Sequence, residues 1–345
     1  MTQQGEGKAH PRSTTGEPVK LREPLVRHIF TADPSAHVFE GQIYVYPSHD
    51  VETDVEQSDD GAHFDMVDYH VLSLKDFDSP VVDHGPVLHV KDVPWAEKQM
   101  WAPDAAYRDG TYYLVFPAKD RDGIFRIGVA TSTRPAGPFV PRAEPIPGSY
   151  SIDPAVFIDD DGQTYLYFGG LWGGQLERWQ SGKYDASAPP SNGEETHAAF
   201  MPRVAKLKPD LSAIVGGVHE AKIVDAKGEP LLASDTERRF FEAAWLHKRK
   251  GIYYLSYSTG DTHLLAYATS KSPLGPFTFG GTILRPVLGW TTHHSIVEFE
   301  GKWYLFYHDS SLSDGNTSLR CVKVTELQHE PDGSIRTIDP YPEQS

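Results

Sequence analysis

The chain has 345 residues, 39% of them hydrophobic, with 48 acidic and 32 basic side chains and a net charge of −16. This acidic balance argues against nucleic acids and anionic membranes as partners, because both carry negative phosphates. Cys321 is the single cysteine, so no intramolecular disulfide forms and the fold does not depend on an oxidising compartment.

The first 22 residues are polar and contain proline and glycine, without the apolar stretch of a secretory signal. No apolar run in the chain reaches the roughly 20 residues that a membrane helix needs. We therefore expect a flexible tail over residues 1–22, one folded domain over residues 23–345 and a cytoplasmic location.

Short runs that mix aromatic and aliphatic residues recur along the chain and predict β-strands. Examples are Ile43–Tyr46, Tyr112–Phe116 and Trp303–Tyr307. Segments with a helical period are hard to find, so the chain is predicted to be nearly all-β.

One template occurs five times in the chain. It consists of an apolar strand, a turn that contains glycine, and a second apolar strand that carries tyrosine three residues after that glycine. The glycines are Gly41, Gly110, Gly162, Gly251 and Gly301. Their spacings of 69, 52, 89 and 50 residues indicate hairpins of constant core joined by variable loops. Because each repeat must bury its faces against its neighbours, the pattern predicts a five-bladed β-propeller, with a β-sandwich as the alternative.

The head of each repeat, eight or nine residues before its glycine, is chemically different in every case: Asp33, Trp101, Asp153, Glu242 and His293. In a propeller the equivalent positions of all blades converge on one mouth of the central channel. A constant template with varied heads is typical of a functional site on a scaffold.

Three carboxylates at one point indicate acid–base chemistry, because neighbouring negative charges raise at least one pKa. Glu242 is the candidate for a protonated acid, since Phe241 and Trp245 lie beside it in the sequence. Pro34 and Pro154 follow the two aspartates and favour extended backbone there. An acid and a base carboxylate that flank a glycosidic bond are what sugar hydrolysis needs.

The other polar and aromatic heads leave alternatives open. Trp101 suits either a sugar ring or core packing, and His293 either a core histidine or a metal ligand. Asp104 is expected to be structural, and Asp159–Asp161 are expected to form a solvated turn.

With these motifs in order over residues 27–339, the sequence resembles glycoside hydrolase family 43. The motifs that carry the resemblance are Ala32–Ser35, Met100–Asp104, Ser151–Pro154, Phe241–Ala243, Thr292–Ser295 and Arg320. The resemblance implies a five-bladed propeller and an inverting mechanism.

The resemblance also implies a role for each motif residue. Asp33 would be the general base that activates water, Glu242 the general acid, and Asp153 the residue that raises the pKa of that acid and orients it. Trp101 would line the −1 sugar site, and Arg320 would donate hydrogen bonds to sugar hydroxyls.

One metal is implied and no organic cofactor. His293 would match a histidine that holds calcium or sodium, largely through waters, in the central channel. Thr292 stands where the family usually has glycine.

The motifs are most similar to the β-xylosidase and α-L-arabinofuranosidase branch of the family. We therefore predict an exo-acting enzyme that releases pentose from xylan or arabinoxylan oligosaccharides, first as a β-xylosidase and alternatively as an α-L-arabinofuranosidase. The polar segment Leu171–Gly217 is expected to close one end of the site, with Trp172 against the leaving-group sugar.

Two rival hypotheses remain. A non-catalytic sugar-binding propeller would keep Trp101 and Arg320 but would not need three carboxylates. A retaining furanosidase would use Asp33 as a nucleophile; its two carboxyls lie roughly 5–5.5 Å apart, against roughly 6.5–9.5 Å in inverting enzymes.

Overall fold

Five β-sheets carry almost all of the regular structure in the computed structural model, which describes residues 13–341. The first sheet contains β1 (Ser13–Pro18), β2 (Phe30–Phe39), β3 (Gln42–Asp50), β4 (Asp68–Leu74) and β5 (Pro80–His89). The second contains β6 (Ala96–Lys98), β7 (Asp104–Arg108), β8 (Thr111–Asp120), β9 (Phe125–Ser132) and β10 (Val140–Pro141).

The remaining three sheets follow in chain order. The third contains β11 (Ala155–Ile158), β12 (Thr164–Phe168), β13 (Arg203–Leu207) and β14 (Ile214–Glu220). The fourth contains β15 (Ile223–Val224), β16 (Glu242–Arg249), β17 (Ile252–Ser258), β18 (Leu265–Ser270) and β19 (Phe277–Leu284). The fifth contains β20 (His294–Phe299), β21 (Lys302–Asp309) and β22 (Cys321–Leu327).

Helical structure within residues 13–341 is limited to short 3₁₀ turns: Val90–Asp92, Trp172–Gly174, Leu176–Trp179 and Ser311–Ser313. Over the same residues, every helix is too short and too polar to cross a lipid bilayer.

The sheets are arranged as five blades around a closed ring. The first strand of each predicted hairpin contacts the corresponding strand of the next blade, in the order β2, β7, β11, β16, β20 and back to β2. Each of these strands pairs antiparallel with the following strand, and the five turn glycines have φ between 73° and 82°. The predicted five-bladed β-propeller is therefore confirmed.

Apolar side chains fill the spaces between neighbouring blades. Tyr46 and Tyr69 of the first blade pack with Phe116 of the second. On the opposite face of the first blade, Val45 packs in a cluster with Val324 of the fifth. The core is thus divided into wedges, and each wedge depends on the blades on both of its sides.

The ring is closed by the N-terminal side of the chain. The backbone N–H of Arg22 donates to the carbonyl of Val324 at 2.7 Å, and that of Leu25 donates to Val322 at 2.9 Å. Residues 22–25 thereby pair with β22 and extend the three-stranded fifth blade. Leu25 and Val26 are buried in the wedge between the first and fifth blades.

The flexible tail predicted over residues 1–22 is wrong where the structure describes it. Residues 1–12 lie outside the described part of the chain. Ser13–Pro18 form β1, which pairs antiparallel with β5, and Arg22 belongs to the ring closure. A polar edge strand is held by backbone hydrogen bonds, so its side chains give no apolar signal in the sequence.

The polar segment Leu171–Gly217, expected to close one end of the site, is only partly irregular. It contains all of β13 and the start of β14, so the irregular connection spans residues 169–202. The two 3₁₀ turns at Trp172–Gly174 and Leu176–Trp179 lie within this connection.

We predict that Val26→Asp lowers the free energy of unfolding by roughly 3 kcal/mol or more, because it places a charge in the apolar wedge at the ring closure. Val26 is 1% exposed, whereas Leu21 is 45% exposed. Leu21→Asp is therefore the matched control and should change stability by about 0.5 kcal/mol or less. Urea unfolding followed by tryptophan fluorescence measures both, and equal effects of the two variants would contradict the closure.

Candidate active site

One cavity of about 270 Å³ lies at the starts of the inner strands. The residues for which the sequence predicts a role in the site all line it: Asp33, Trp101, Asp153, Trp172, Glu242, His293 and Arg320. The repeat heads therefore converge, as the propeller geometry requires.

The aspartates that head two of the blades have unusual backbone conformations. Asp33 and Asp153 have φ of 47° and 54°, in the left-handed region. The extended conformation predicted before Pro34 and Pro154 is therefore wrong. Aspartate tolerates the left-handed region better than most residues, because its short polar side chain hydrogen-bonds locally.

Bulges in two inner strands lie at two of the blade heads, beside Asp33 and Glu242. The register between β2 and β3 shifts between Ala32 and Ser35, and the register between β16 and β17 shifts between Glu242 and Trp245. A bulge leaves one residue outside the ladder and re-aims its side chain. It thereby frees a strand residue to point into the channel.

Asp33 is a buried carboxylate that is held ionised. Arg320 Nη1 donates to its Oδ1 at 2.9 Å, and Ser48 Oγ donates to its Oδ2 at 2.7 Å. Its own N–H donates to Nδ1 of His308 at 2.9 Å. Burial raises the pKa of Asp33, but the Arg320 charge, the nearby histidines and the Ser48 hydrogen bond outweigh it and hold that pKa at about 2.

Arg320 is shared between two carboxylates. Its Nε and Nη2 donate to the two oxygens of Asp50 at 2.9 and 2.8 Å, while Nη1 serves Asp33 and the Thr291 hydroxyl. Burial opposes the guanidinium charge, yet the two carboxylates raise its pKa above the usual value. Most of its N–H groups are thus engaged by protein, which holds the guanidinium in place beside Asp33.

Asp153 and Glu242 form a second carboxyl pair on neighbouring blades. Burial raises the pKa of Asp153, and a charge on either carboxyl disfavours ionisation of the other. Asp153 Oδ2 accepts the backbone N–H of Ala243 at 2.8 Å. Burial, followed by the charge of Asp33, raises the pKa of Glu242 to about 8. Among residues 13–341 we find no hydrogen-bond donor to the Glu242 carboxyl, so only the charge of Arg320 opposes the effect of its burial.

Trp101 lies at the edge of the cavity and is clamped by two loops. It is 9% exposed, and its indole N–H donates to the carbonyl of Phe64 at 2.8 Å. A Cβ at Gly61 would lie 2.5 Å from the indole, and one at Gly173 would lie 3.2 Å from it. The indole is therefore both a wall of the cavity and a packed side chain.

Two further indoles form a second aromatic wall of the cavity. Trp172 and Trp290 stack with ring centroids 5.5 Å apart, and Phe241 meets Trp172 edge-on at 5.2 Å. The indole N–H of Trp172 donates to the Ser191 carbonyl at 2.6 Å, which fixes the ring. Stacked indoles of this kind suit the apolar face of a sugar.

His293 lines the cavity near Asp153, with 3.9 Å between Nε2 and Oδ2. Its Nδ1 accepts the N–H of His294 at 2.8 Å, so the neutral ring carries its proton on Nε2. Burial lowers the pKa of His293 and keeps the ring neutral. Because the Nε2–H has no hydrogen-bond partner within the described chain, these residues fit a cation held through water rather than through a direct nitrogen bond.

Two other acidic residues tie blades together. Asp104, expected to be structural, accepts from His37 Nε2 at 2.6 Å and from the Val156 N–H at 2.5 Å. Asp159 was predicted to be solvated but is buried, because Lys248 and Tyr253 of the next blade each donate to it at 2.6 Å. That part of the prediction is wrong.

Four residues of the site were not predicted from the sequence: Ser48, Asp50, Trp290 and His308. Ser48 and Asp50 lie beyond the repeated template, at the end of β3. A signal for them exists in the sequence: Ser48 and Asp50 are two residues apart on one strand, so they share a face of the sheet just after the apolar run Ile43–Tyr46.

Comparisons with known proteins agree with this arrangement. Residues 22–335 match the sequence model of glycosyl hydrolases family 43. The chain is 60% identical over 324 residues to Xylosidase/arabinosidase 43A of Humicola insolens, covering 92% of this chain and 99% of that protein. It is 50% identical over 311 residues to Beta-xylosidase of Xylanibacter ruminicola, covering 90% and 97% of the two chains.

A solved structure is similar in fold as well as in sequence. It is a β-xylosidase/α-arabinofuranosidase from a compost microbial metagenome, in complex with xylotriose and in a calcium-free form. The TM-score is 0.91 at 59% identity, and the match covers 96% of this chain and 99% of that chain.

We predict that Ser48→Ala raises the pKa of Asp33 by about one unit, because a hydrogen bond to a charged group is worth about 1.5–3 kcal/mol and one unit corresponds to about 1.4 kcal/mol. NMR titration of ¹³C-labelled aspartate carboxyls measures the shift, with Asp33→Asn assigning the signal. Ser73→Ala removes a buried hydroxyl of the same blade that bonds to His84, so it is the control. An unchanged pKa in Ser48→Ala would show that this hydrogen bond does not tune the carboxylate.

Proposed function

The chain belongs to family 43 of the glycosyl hydrolases, and we propose that it is an inverting β-xylosidase in which Asp33 is the general base and Glu242 the general acid. The observation that carries this proposal is the opposite tuning of two carboxyls in one cavity. Despite burial, the charge of Arg320 at 2.9 Å and the hydrogen bond from Ser48 hold the pKa of Asp33 at about 2. By contrast, burial and the charge of Asp33 raise the pKa of Glu242 to about 8. Near neutral pH one is a base and the other an acid.

The proposed reaction uses the two groups in one step. Asp33 accepts a proton from a water molecule whose oxygen attacks the anomeric carbon. As the glycosidic C–O bond breaks, Glu242 gives its proton to the leaving oxygen. The configuration at the anomeric carbon is inverted, and proton exchange with solvent restores both carboxyls.

Asp153 is proposed to keep the proton on Glu242. Two buried carboxyls that line one cavity and interact electrostatically cannot both ionise without a large cost. Asp153 accepts the Ala243 N–H, which favours its ionised form, whereas Glu242 has no comparable donor in the described chain. We therefore assign the negative charge to Asp153 and the proton to Glu242.

The substrate assignment rests on the shape of the cavity and on the relatives. A volume of about 270 Å³ is small for a ligand pocket, which usually has roughly 300–1,000 Å³, and suits the end of a chain. This supports exo action. The stacked Trp172 and Trp290 are proposed to hold the leaving-group sugar, and Trp101 borders the sugar that is released.

α-L-Arabinofuranosidase activity is the second candidate, because the Humicola insolens relative is named for both activities. A non-catalytic sugar-binding propeller is disfavoured, since binding alone gives no reason to hold two carboxyls at such different pKa values.

A calcium ion held through water beside His293 would add positive charge near Asp153 when bound. His293 and Asp153 are the residues that would face such an ion. The proposed proton transfers by Asp33 and Glu242 do not involve it. Calcium prefers several protein oxygens, so we expect a weak site there.

The proposed function is tested by following xylobiose and nitrophenyl β-xyloside with proton NMR, with nitrophenyl α-arabinofuranoside in parallel. We expect release of xylose, and α-xylose as the first anomer formed, because inversion converts a β linkage to an α product. β-Xylose formed first would indicate a retaining mechanism. No hydrolysis of any of the three would indicate a binding protein.

Glu242→Gln should separate the acid from the base by leaving-group chemistry. Cleavage of xylobiose should fall by about 10²–10⁴-fold, while an aryl xyloside with an acidic phenol should lose much less, since it needs little protonation. Asp33→Asn is the matched comparison and should abolish both reactions. Equal loss on both substrates in Glu242→Gln would overturn the assignment.

The pH profile of kcat/KM gives an independent check. Activity should be lost as pH rises through about 8, where Glu242 loses its proton, and no acidic limb should come from Asp33 above about pH 3. Glu242→Gln should remove the basic limb. Asp153→Asn should move it to lower pH, because a neighbouring negative charge is lost.

A further inference from the structure

Three metal-ligating side chains meet on the first blade, away from the cavity. His49, Asp68 and His70 each offer one ligand atom, and these atoms all lie within 4.8 Å of one another. His49 Nδ1 and Asp68 Oδ1 are 2.6 Å apart, and the two imidazole centroids are 4.6 Å apart. None of the three residues lines the active-site cavity.

Strand geometry explains why these residues face one another. Ser48 of β3 pairs with Tyr69 of β4, so the next antiparallel pair places His49 opposite Asp68. Asp68 and His70 are two residues apart on β4 and therefore share a face of the sheet. Ser48 lies on the other face of β3 and donates to the catalytic base, so the two sites stand back to back on one strand.

A second carboxylate orients one of the imidazoles. His70 Nδ1 lies 2.9 and 3.1 Å from the two oxygens of Asp83, to which it donates. This hydrogen bond leaves the lone pair of the neutral ring on Nε2. A histidine whose second nitrogen donates to a carboxylate is the usual arrangement of a metal ligand, because it fixes the tautomer and raises ligand basicity.

We propose that His49, Asp68 and His70 bind a divalent transition-metal ion, with zinc as the best match, and that Asp83 orients His70. Two imidazoles and one carboxylate are a common zinc donor set, which leaves a fourth position for water. Calcium and magnesium are disfavoured, because they require more oxygen ligands than this cluster offers.

The geometry needs only a local adjustment to admit the ion. Ligands at about 2.0–2.2 Å around a tetrahedral zinc lie roughly 3.3 Å apart. His49 Nδ1 and Asp68 Oδ1, now 2.6 Å apart, would therefore separate slightly as the metal ion replaces the hydrogen between them. The imidazole of His70 would move closer to both. The side chains of His49 and Asp68 are 18% and 13% exposed, so solvent reaches the cluster.

The cluster lies beside the closure of the ring. His28, in the segment that follows the residues paired with β22, places its Nε2 2.8 Å from Asp83 Oδ2. A metal here would join β3 to β4 next to this contact. A metal ion that binds the folded chain but not the unfolded chain would raise the melting temperature.

The test uses the full-length protein without a histidine tag, since a tag would itself bind the metal. After chelation, verified by elemental analysis, the protein is titrated with Co²⁺, whose visible bands report a tetrahedral nitrogen and oxygen site, and with Zn²⁺ by calorimetry. We expect one ion per chain at this site and a higher melting temperature with Zn²⁺. None of these readouts depends on hydrolysis, so they stand apart from the test of the proposed function.

Variants locate the ion. His49→Gln and His70→Gln should each abolish the cobalt bands, and Asp83→Asn should weaken zinc binding by about 10–100-fold. His219→Gln, at an exposed histidine on β14, and His293→Gln, at the channel, should bind as the wild type does. Circular dichroism without metal checks that each variant folds, and Asp68→Asn replaces any variant that does not.

The proposal is overturned if the wild type shows no stoichiometric binding of either ion. It is also overturned if folded His49→Gln, His70→Gln and Asp68→Asn bind as the wild type does, or if only His293→Gln loses the ion.

Discussion

The sharing of one buried guanidinium between two buried carboxylates is the interaction on which the rest of the molecule depends. The side chain of Arg320, which directly precedes β22 of the fifth blade, donates two hydrogen bonds to Asp50 and one to Asp33, and both aspartates belong to the first blade. Removing one partner of a buried ion pair costs about 3–5 kcal/mol, because the other charge is left uncompensated. The same contact therefore joins the first blade to the last and keeps the proposed base ionised.

The difference between the two proposed catalytic carboxyls comes from their surroundings rather than from their chemical type. Asp33 lies among donors, with Ser48 and Arg320 both bonded to it. Glu242 starts β16, beside Phe241 and close to Asp153. Within residues 13–341 its carboxyl accepts no hydrogen bond that would lower its pKa. A propeller suits this division, because the heads of different blades stand at different points around the channel and meet different neighbours.

The sequence predicted the fold and the convergence of the repeat heads because the offset from turn glycine to head is nearly constant. Asp33, Asp153 and Glu242 could be found in this way. Asp50 was missed, since it lies on the second strand of a blade, outside the repeated template, and its partner Arg320 is 270 residues away in the sequence. The left-handed backbone at Asp33 was also missed, because the bulge that produces it depends on pairing with β3. Edge strand β1 escaped detection, since backbone hydrogen bonds leave no trace in side-chain composition.

The pairing of residues 22–25 with β22 has a consequence for synthesis of the protein. These segments are about 300 residues apart, and translation proceeds at about 5–20 residues per second, so the first blade waits roughly 15–60 s for its final neighbour. During that interval Leu25, Val26 and the adjoining face of the blade have no native cover. The nascent chain is thus most prone to aggregation just before its last blade leaves the ribosome, and a chain that terminates before Arg320 would lack both the seal of the ring and the cation that holds Asp33.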